Sequence, residues 1–83
     1  MHEIEFTPRA VQDLDRLPEK VGRACLEFIH GALALNPHRV GKPLHGELRG
    51  QHSARRGTYR VVYRIDGDTV RINRVDHRRD VYR

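Results

Sequence analysis

Between Ser53 and Tyr63 the chain reads Ser-Ala-Arg-Arg-Gly-Thr-Tyr-Arg-Val-Val-Tyr, and no other stretch restricts the fold as tightly. Tyr59, Val61, Tyr63 and Ile65 alternate with Arg60, Val62 and Arg64. That period of two describes a β-strand with one apolar, aromatic face and one basic face. Gly57 marks the turn into this strand from an earlier one, and Asp66-Gly67 is a strong two-residue hairpin signal leading to a third β-rich run. With Asp66-Gly67 as the loop, Ile65 faces Asp68. Register then sets Tyr63 opposite Val70, Val61 opposite Ile72, Arg60 opposite Asn73 and Arg56 opposite His77. Tyr63, Val61, Val70 and Ile72 form the core side, while Arg60, Arg64, Arg71, Asn73 and His77 share the other. Such a sheet packs helices on one side and holds phosphates on the other, although a basic face is equally what a solvated surface looks like.

The apolar side needs a cover, and the N-terminal half supplies it. Ile4 and Phe6 sit at strand spacing, and Thr7-Pro8 reads as an N-cap followed by proline in the first helical turn. The first helix puts Ala10, Leu14 and Leu17 on one side, with Val11 adjoining, and stops at Pro18. A second helix from about Pro18 carries a stripe of Val21, Ala24, Cys25, Phe28, Ile29, Ala32 and Leu33. Val61, Tyr63, Val70 and Ile72 are expected to pack against Phe28, Ile29 and Leu33. Cys25 lies within the stripe and reads as a small buried hydrophobe. Asn36-Pro37 ends the helix, and a loop through Gly50 is pinned by Val40, Leu44 and Leu48.

A chain of 83 residues is expected to be one domain, 1–83, too small for a large internal cavity and stabilised by a partner. Its net charge of +5 and pI near 10.1 favour an anionic partner. Nucleic acid comes ahead of a membrane, because no basic amphipathic helix stands out. A single cysteine fits a reducing cytoplasm, and neither a signal peptide nor a membrane-spanning run is expected. The basic loop residues His38, Arg39, Lys42, His45 and Arg49 suit either a nucleic-acid path or plain solvation. His38, His45 and His52 recur every seven residues, a spacing that matches no familiar metal motif, and no metal or other cofactor is expected.

The tail, Arg74-Val75-Asp76-His77-Arg78-Arg79-Asp80-Val81-Tyr82-Arg83, gathers groups able to handle protons or phosphate. Each has a blander reading: His77 as an exposed strand end, Arg78 and Arg79 as a solvated pair, Tyr82 as a clamp on the core.

The order of strand, helix hairpin, basic loop, Gly-Thr-Tyr-Arg-Val-Val-Tyr-Arg-Ile-Asp-Gly and His-Arg-Arg-Asp-Val-Tyr-Arg resembles the RelE/ParE superfamily of bacterial type II toxins, on the RelE side. The likeness spans nearly the whole chain, including Gly41-Lys42-Pro43-Leu44 and the Leu48-x-Gly50 approach. It implies an α+β fold, with a small, mostly antiparallel β-sheet and the N-terminal strand and two-helix hairpin on one face. It also implies metal-independent cleavage of messenger RNA in the ribosomal A site, and a RelB-like antitoxin that neutralises the toxin. Operator DNA would be bound only through the antitoxin complex. Residue by residue, the resemblance puts Arg60 on the scissile phosphate and makes Tyr82 the C-terminal catalytic tyrosine, with Arg55 and Arg56 near the basic positions before the strand. The best-known members carry lysines where this chain has Gln51, His52 and Ser53, which leaves the general base open.

RNA cleavage through the ribose 2′-hydroxyl needs a base for that proton, cations for the charge on the phosphorane oxygens, and an acid for the 5′ leaving oxygen. Arginine suits the phosphate but not the proton. His77 and Tyr82 are the proton-handling candidates, with Glu47 as a further possible base. Arg55, Arg56, Arg64, Arg71, Arg78 and Lys42 are the candidate RNA-binding cations. Two other functions fit the same residues: a ParE-like inhibitor of DNA gyrase that cuts no RNA, and a non-toxic nucleic-acid-binding module.

Overall fold

Thr7 and Pro8 convert a strand into a helix within two residues. In the computed structural model, which describes residues 1–77, β1 (Glu3–Phe6) ends at Thr7, whose hydroxyl oxygen accepts the Ala10 amide proton at 3.1 Å and caps α1 (Pro8–Asp15). α2 (Glu19–Phe28) starts after Pro18 and runs on through a π-type turn at Ile29–Leu33. The expected loop is more structured than the sequence suggested. It holds the short helix α3 (Pro37–Val40), the two-residue strand β2 (Lys42–Pro43) and a single tight helical turn at Gly46–Leu48. The chain then forms β3 (His52–Arg56), β4 (Tyr59–Asp66) and β5 (Thr69–His77).

These strands make one sheet in the order β1-β5-β4-β3-β2, with β1 parallel to β5 and every other pair antiparallel. The α+β, mostly antiparallel architecture is as expected. So is the core: Val61, Tyr63, Val70 and Ile72 cluster with Cys25, Phe28, Ile29 and Leu33. Burying side chains of this size gives about 1.5–3 kcal/mol each, the main force fastening the helices to the sheet. Tyr63 is fully buried, and its hydroxyl donates to the Pro37 carbonyl at 2.7 Å. Burial pushes that phenol up to about 12. Gly41 passes so close that a Cβ there would strike the Tyr63 hydroxyl. Cys25 is indeed a buried hydrophobe, its thiol also pushed up to about 12 by burial.

The β4–β5 register departs from expectation in two ways. Asp66 pairs with Thr69, so the loop is Gly67-Asp68 rather than Asp66-Gly67. Gly67 takes φ +61 at the first loop position and Asp68 keeps a negative φ, so no side-chain-bearing residue enters the left-handed region. This slip moves Tyr63 opposite Ile72 and Ile65 opposite Val70 but leaves the faces unchanged. The second departure does change them. Val62 pairs with Arg74 while Tyr63 pairs with Ile72, which leaves Asn73 as the extra residue of a β-bulge. Beyond it, Val75 turns to the core opposite Val61, Arg60 faces Asp76, and His77 faces Tyr59.

Candidate nucleic-acid interface

Alternation along β4 places Arg60, Val62 and Arg64 on the face away from the helices. Cross-strand partners extend that face: Arg55 opposite Arg60, Ser53 opposite Val62, Lys42 opposite Ser53, and Arg71 opposite Arg64. Five of the expected residues, Arg60, Arg55, Arg64, Arg71 and Lys42, therefore share one open surface. The expected grouping of Arg60 with Arg56 and His77 does not hold. Arg56 pairs with Tyr59 on the helix side, and its guanidinium lies 4.6 Å from the centre of the Phe28 ring. The bulge carries His77 to that side too, where its imidazole Nε2 lies 3.2 Å from the Thr58 hydroxyl. Arg78 and Tyr82 lie outside the described residues.

Two residues of this surface escaped the sequence reading. Asp76 Oδ2 accepts a hydrogen bond from Arg60 Nη2 at 3.1 Å and lies 3.3 Å from Arg74 Nε, an ion pair without hydrogen-bond alignment, so one carboxylate oxygen gathers two guanidinium groups. The bulge alone puts Arg74 and Asp76 beside Arg60, and a lone bulge has no reliable signature in an alternating run. At the other flank Glu5 pairs with Arg71 at 3.5 Å, so the charge there is largely balanced. Net positive field is left around Arg55, Arg60, Arg64 and Lys42.

The Gln51, His52 and Ser53 segment divides between the two faces. The Gln51 carboxamide oxygen accepts from Asn73 Nδ2 at 2.7 Å, a link that spans β4 on the open side. His52 points to the helix side, stacked on Tyr63 with ring centroids 5.5 Å apart and edge-on to His38 at 6.2 Å. Burial, helped by the neighbouring His38, holds the His52 imidazole below its usual pKa and favours the neutral ring. Among the described residues no group of three or more metal-ligating side chains converges.

A five-stranded sheet with arginines on one face and helices on the other defines a small α+β domain with a basic sheet face. Residues 4–82 match the model of the ParE toxin of type II toxin–antitoxin systems, and the chain belongs to this toxin family. It is 55% identical to Toxin RelG of Mycobacterium tuberculosis over 82 residues, covering 96% of this chain and 94% of that protein. It is likewise 55% identical to Toxin RelE of the same organism over 71 residues, 86% of this chain and 73% of that one. Among solved structures, the toxin–antitoxin complex RelBE2 of M. tuberculosis contains a chain that superposes with a TM-score of 0.91 at 53% identity, covering 93% of this chain and 98% of that chain. The intact E. coli RelBE complex matches with a TM-score of 0.76 at 20% identity, covering 93% and 96%, and shares the fold.

Proposed function

We propose that this toxin is a ribosome-dependent endoribonuclease, kept in check by a RelB-like antitoxin, that cleaves messenger RNA in the A site and so halts translation. One observation carries the reading: Arg60 stands at the centre of an open sheet face, flanked by Arg55 across one ladder and by Arg74 and Asp76 across the other. Planar guanidinium forks gathered on one face suit the equatorial oxygens of a phosphorane, where charge builds in the transition state. The 2′-hydroxyl loses its proton as its oxygen attacks phosphorus, and the 5′ oxygen gains one as its bond to phosphorus breaks. With His77 on the far side of the sheet, these transfers fall first to Tyr82, the residue the family resemblance selects. Arg78 would add to the field.

An antitoxin follows from the complexes in which similar toxins have been crystallised, and its acidic segments would be drawn to the same basic face. Both partners would meet their targets in the cytoplasm. No helix among the described residues is long and apolar enough to cross a membrane.

The test is induction in bacteria followed by mapping of messenger 5′ ends on ribosomes. Wild-type protein should produce A-site cuts, and Arg60→Ala should lose about 2–4 kcal/mol of transition-state stabilisation, the range for a deleted oxyanion donor. Arg56→Ala, on the helix side, should cut nearly as well as wild type. Arrested replication with intact messages would instead support gyrase inhibition and overturn the nuclease reading.

A further inference from the structure

Among the described residues, only some arginines of the open face meet an acidic partner. Arg55, directly across from Arg60, has none, and Arg71 is balanced by Glu5. Arg60 and Arg74 both converge on Asp76 Oδ2, at 3.1 and 3.3 Å. A carboxylate beside a phosphate site opposes anion binding by simple repulsion, so its presence there calls for an explanation. Stability is a poor one. The three side chains are 41%, 35% and 34% exposed for Arg60, Arg74 and Asp76, and the Arg74 Nε that faces the carboxylate is buried without a hydrogen bond, so partial solvent screening and an unsatisfied donor leave little net contribution to folding.

We propose that Asp76 is a positioning residue, one that holds the Arg60 and Arg74 guanidinium groups in a single orientation with their free terminal amino groups turned toward the RNA phosphate. This rests on the nuclease reading above. Among the described residues the ion pair with Arg74 lies on its Nε side and neither of its terminal amino groups makes a hydrogen bond, while the hydrogen bond from Arg60 uses one amino group and leaves the other. Without the carboxylate, two like charges brought close together would push apart, and each long side chain would spread over several rotamers. Aligned donors stabilise a transition state more than a ground state, because they need no reorganisation as charge develops. The repulsion between Asp76 and the phosphate acts in both states.

The backbone is built to hold this arrangement. Beyond Phe6 the outer edge of β5 has no strand partner among the described residues, and α1 takes over. The Thr7 amide donates to the Ile72 carbonyl at 3.0 Å and the Thr7 hydroxyl to the Asn73 carbonyl at 3.0 Å, while Asp13 Oδ2 accepts the Val75 amide proton at 3.0 Å. These bonds bracket the bulge that brings Arg74 and Asp76 onto the Arg60 face.

Positioning and mere structure predict different kinetics. On programmed ribosomes, Asp76→Ala should lower the saturated single-turnover cleavage rate by about 10- to 100-fold, the scale of a mispositioned catalytic group. Affinity for a message with a 2′-deoxy substitution at the cut site should stay unchanged or rise, since a repelling charge is gone. Asp76→Asn keeps an acceptor oxygen and should recover part of the rate. An unchanged or faster rate in Asp76→Ala would overturn the proposal and make the carboxylate a competitor for the arginines. A matching loss of rate, affinity and melting temperature would overturn it in favour of a structural role. If the wild-type protein cuts no message, the nuclease reading has failed, and the guanidinium N–H resonances of Arg60 still decide the point. They should be sharp in the wild type and broadened in Asp76→Ala, where protons no longer held by the carboxylate exchange faster with water. Identical resonances in the two would overturn the positioning role.

Discussion

Replacing Asp13 by alanine tests how far α1 governs the geometry of the arginine face. The Asp13 side chain is only 11% exposed, and it divides its oxygens between Arg9 Nε at 3.4 Å and the Val75 amide at 3.0 Å. The Arg9 contact is at the surface and contributes little. The amide bond is different, because a charged acceptor to a partly buried N–H is worth about 1.5–3 kcal/mol, and its loss leaves the Val75 N–H without that partner. At roughly 4–8 °C per kcal/mol for a domain of this size, the melting temperature should fall by roughly 6–24 °C. Asp13→Asn, which retains a neutral acceptor, should lose about half as much in free energy. Circular dichroism gives the melting temperature, and hydrogen exchange of the Val75 amide reports on the bond itself. A Val75 amide that exchanges as slowly in Asp13→Ala as in the wild type would refute the claim that α1 clasps the bulge.

Gly41 and Tyr63 should behave as a coupled pair. Gly41→Ala should destabilise by about 1–3 kcal/mol through overpacking against the Tyr63 hydroxyl, and Tyr63→Phe by about 1–3 kcal/mol through the stranded Pro37 carbonyl, with the double variant losing less than the sum in urea titrations. Strict additivity would mean that the two groups do not meet. Stability should also fall in alkali: Cys25 and Tyr63 are raised in the fold from their ordinary 9.0 and 10.0 to about 12, so the unfolded chain releases these protons first. Their contribution is intact below about pH 9 and declines as pH rises toward 12, and Cys25→Ala should delay the onset of that decline in urea midpoints measured across the range.

The faces of β4 were legible from Tyr59 to Ile65, because in a strand side-chain direction follows from parity alone. The helix stripe from Val21 to Leu33 was legible for the same kind of reason, and the two together fixed which residues meet in the core. Parity is also why the sequence misled at the site. A turn displaced by one residue, from Asp66-Gly67 to Gly67-Asp68, shifts each opposed pair by two and leaves every face intact. A single inserted residue, Asn73, reverses all faces that follow it. The bulge is held by Thr7 and Asp13, more than sixty residues away in sequence, so nothing local to Arg71–His77 announces it. Val75 carried a faint signal, since it is the one apolar residue in the run that the unbulged register would have left on the basic face.

The bulge also changes what the net charge of +5 means for function. Read as composition, a basic chain attracts any polyanion, and sixteen lysines and arginines are set against eleven acids. Read in three dimensions, Glu5 balances one flank of the sheet, Asp76 draws two arginines together, and Arg56 is spent on the Phe28 ring on the other side. Lys42, Arg55 and Arg64 are the open-face cations that make no ion pair among the described residues. They form a loose attractive field around an ordered pair of guanidinium groups. That division suits the proposed activity, in which the ribosome would present the message and the toxin would act on one phosphate. Attraction comes from cations that need no fixed geometry, and discrimination between ground and transition states comes from those that have one.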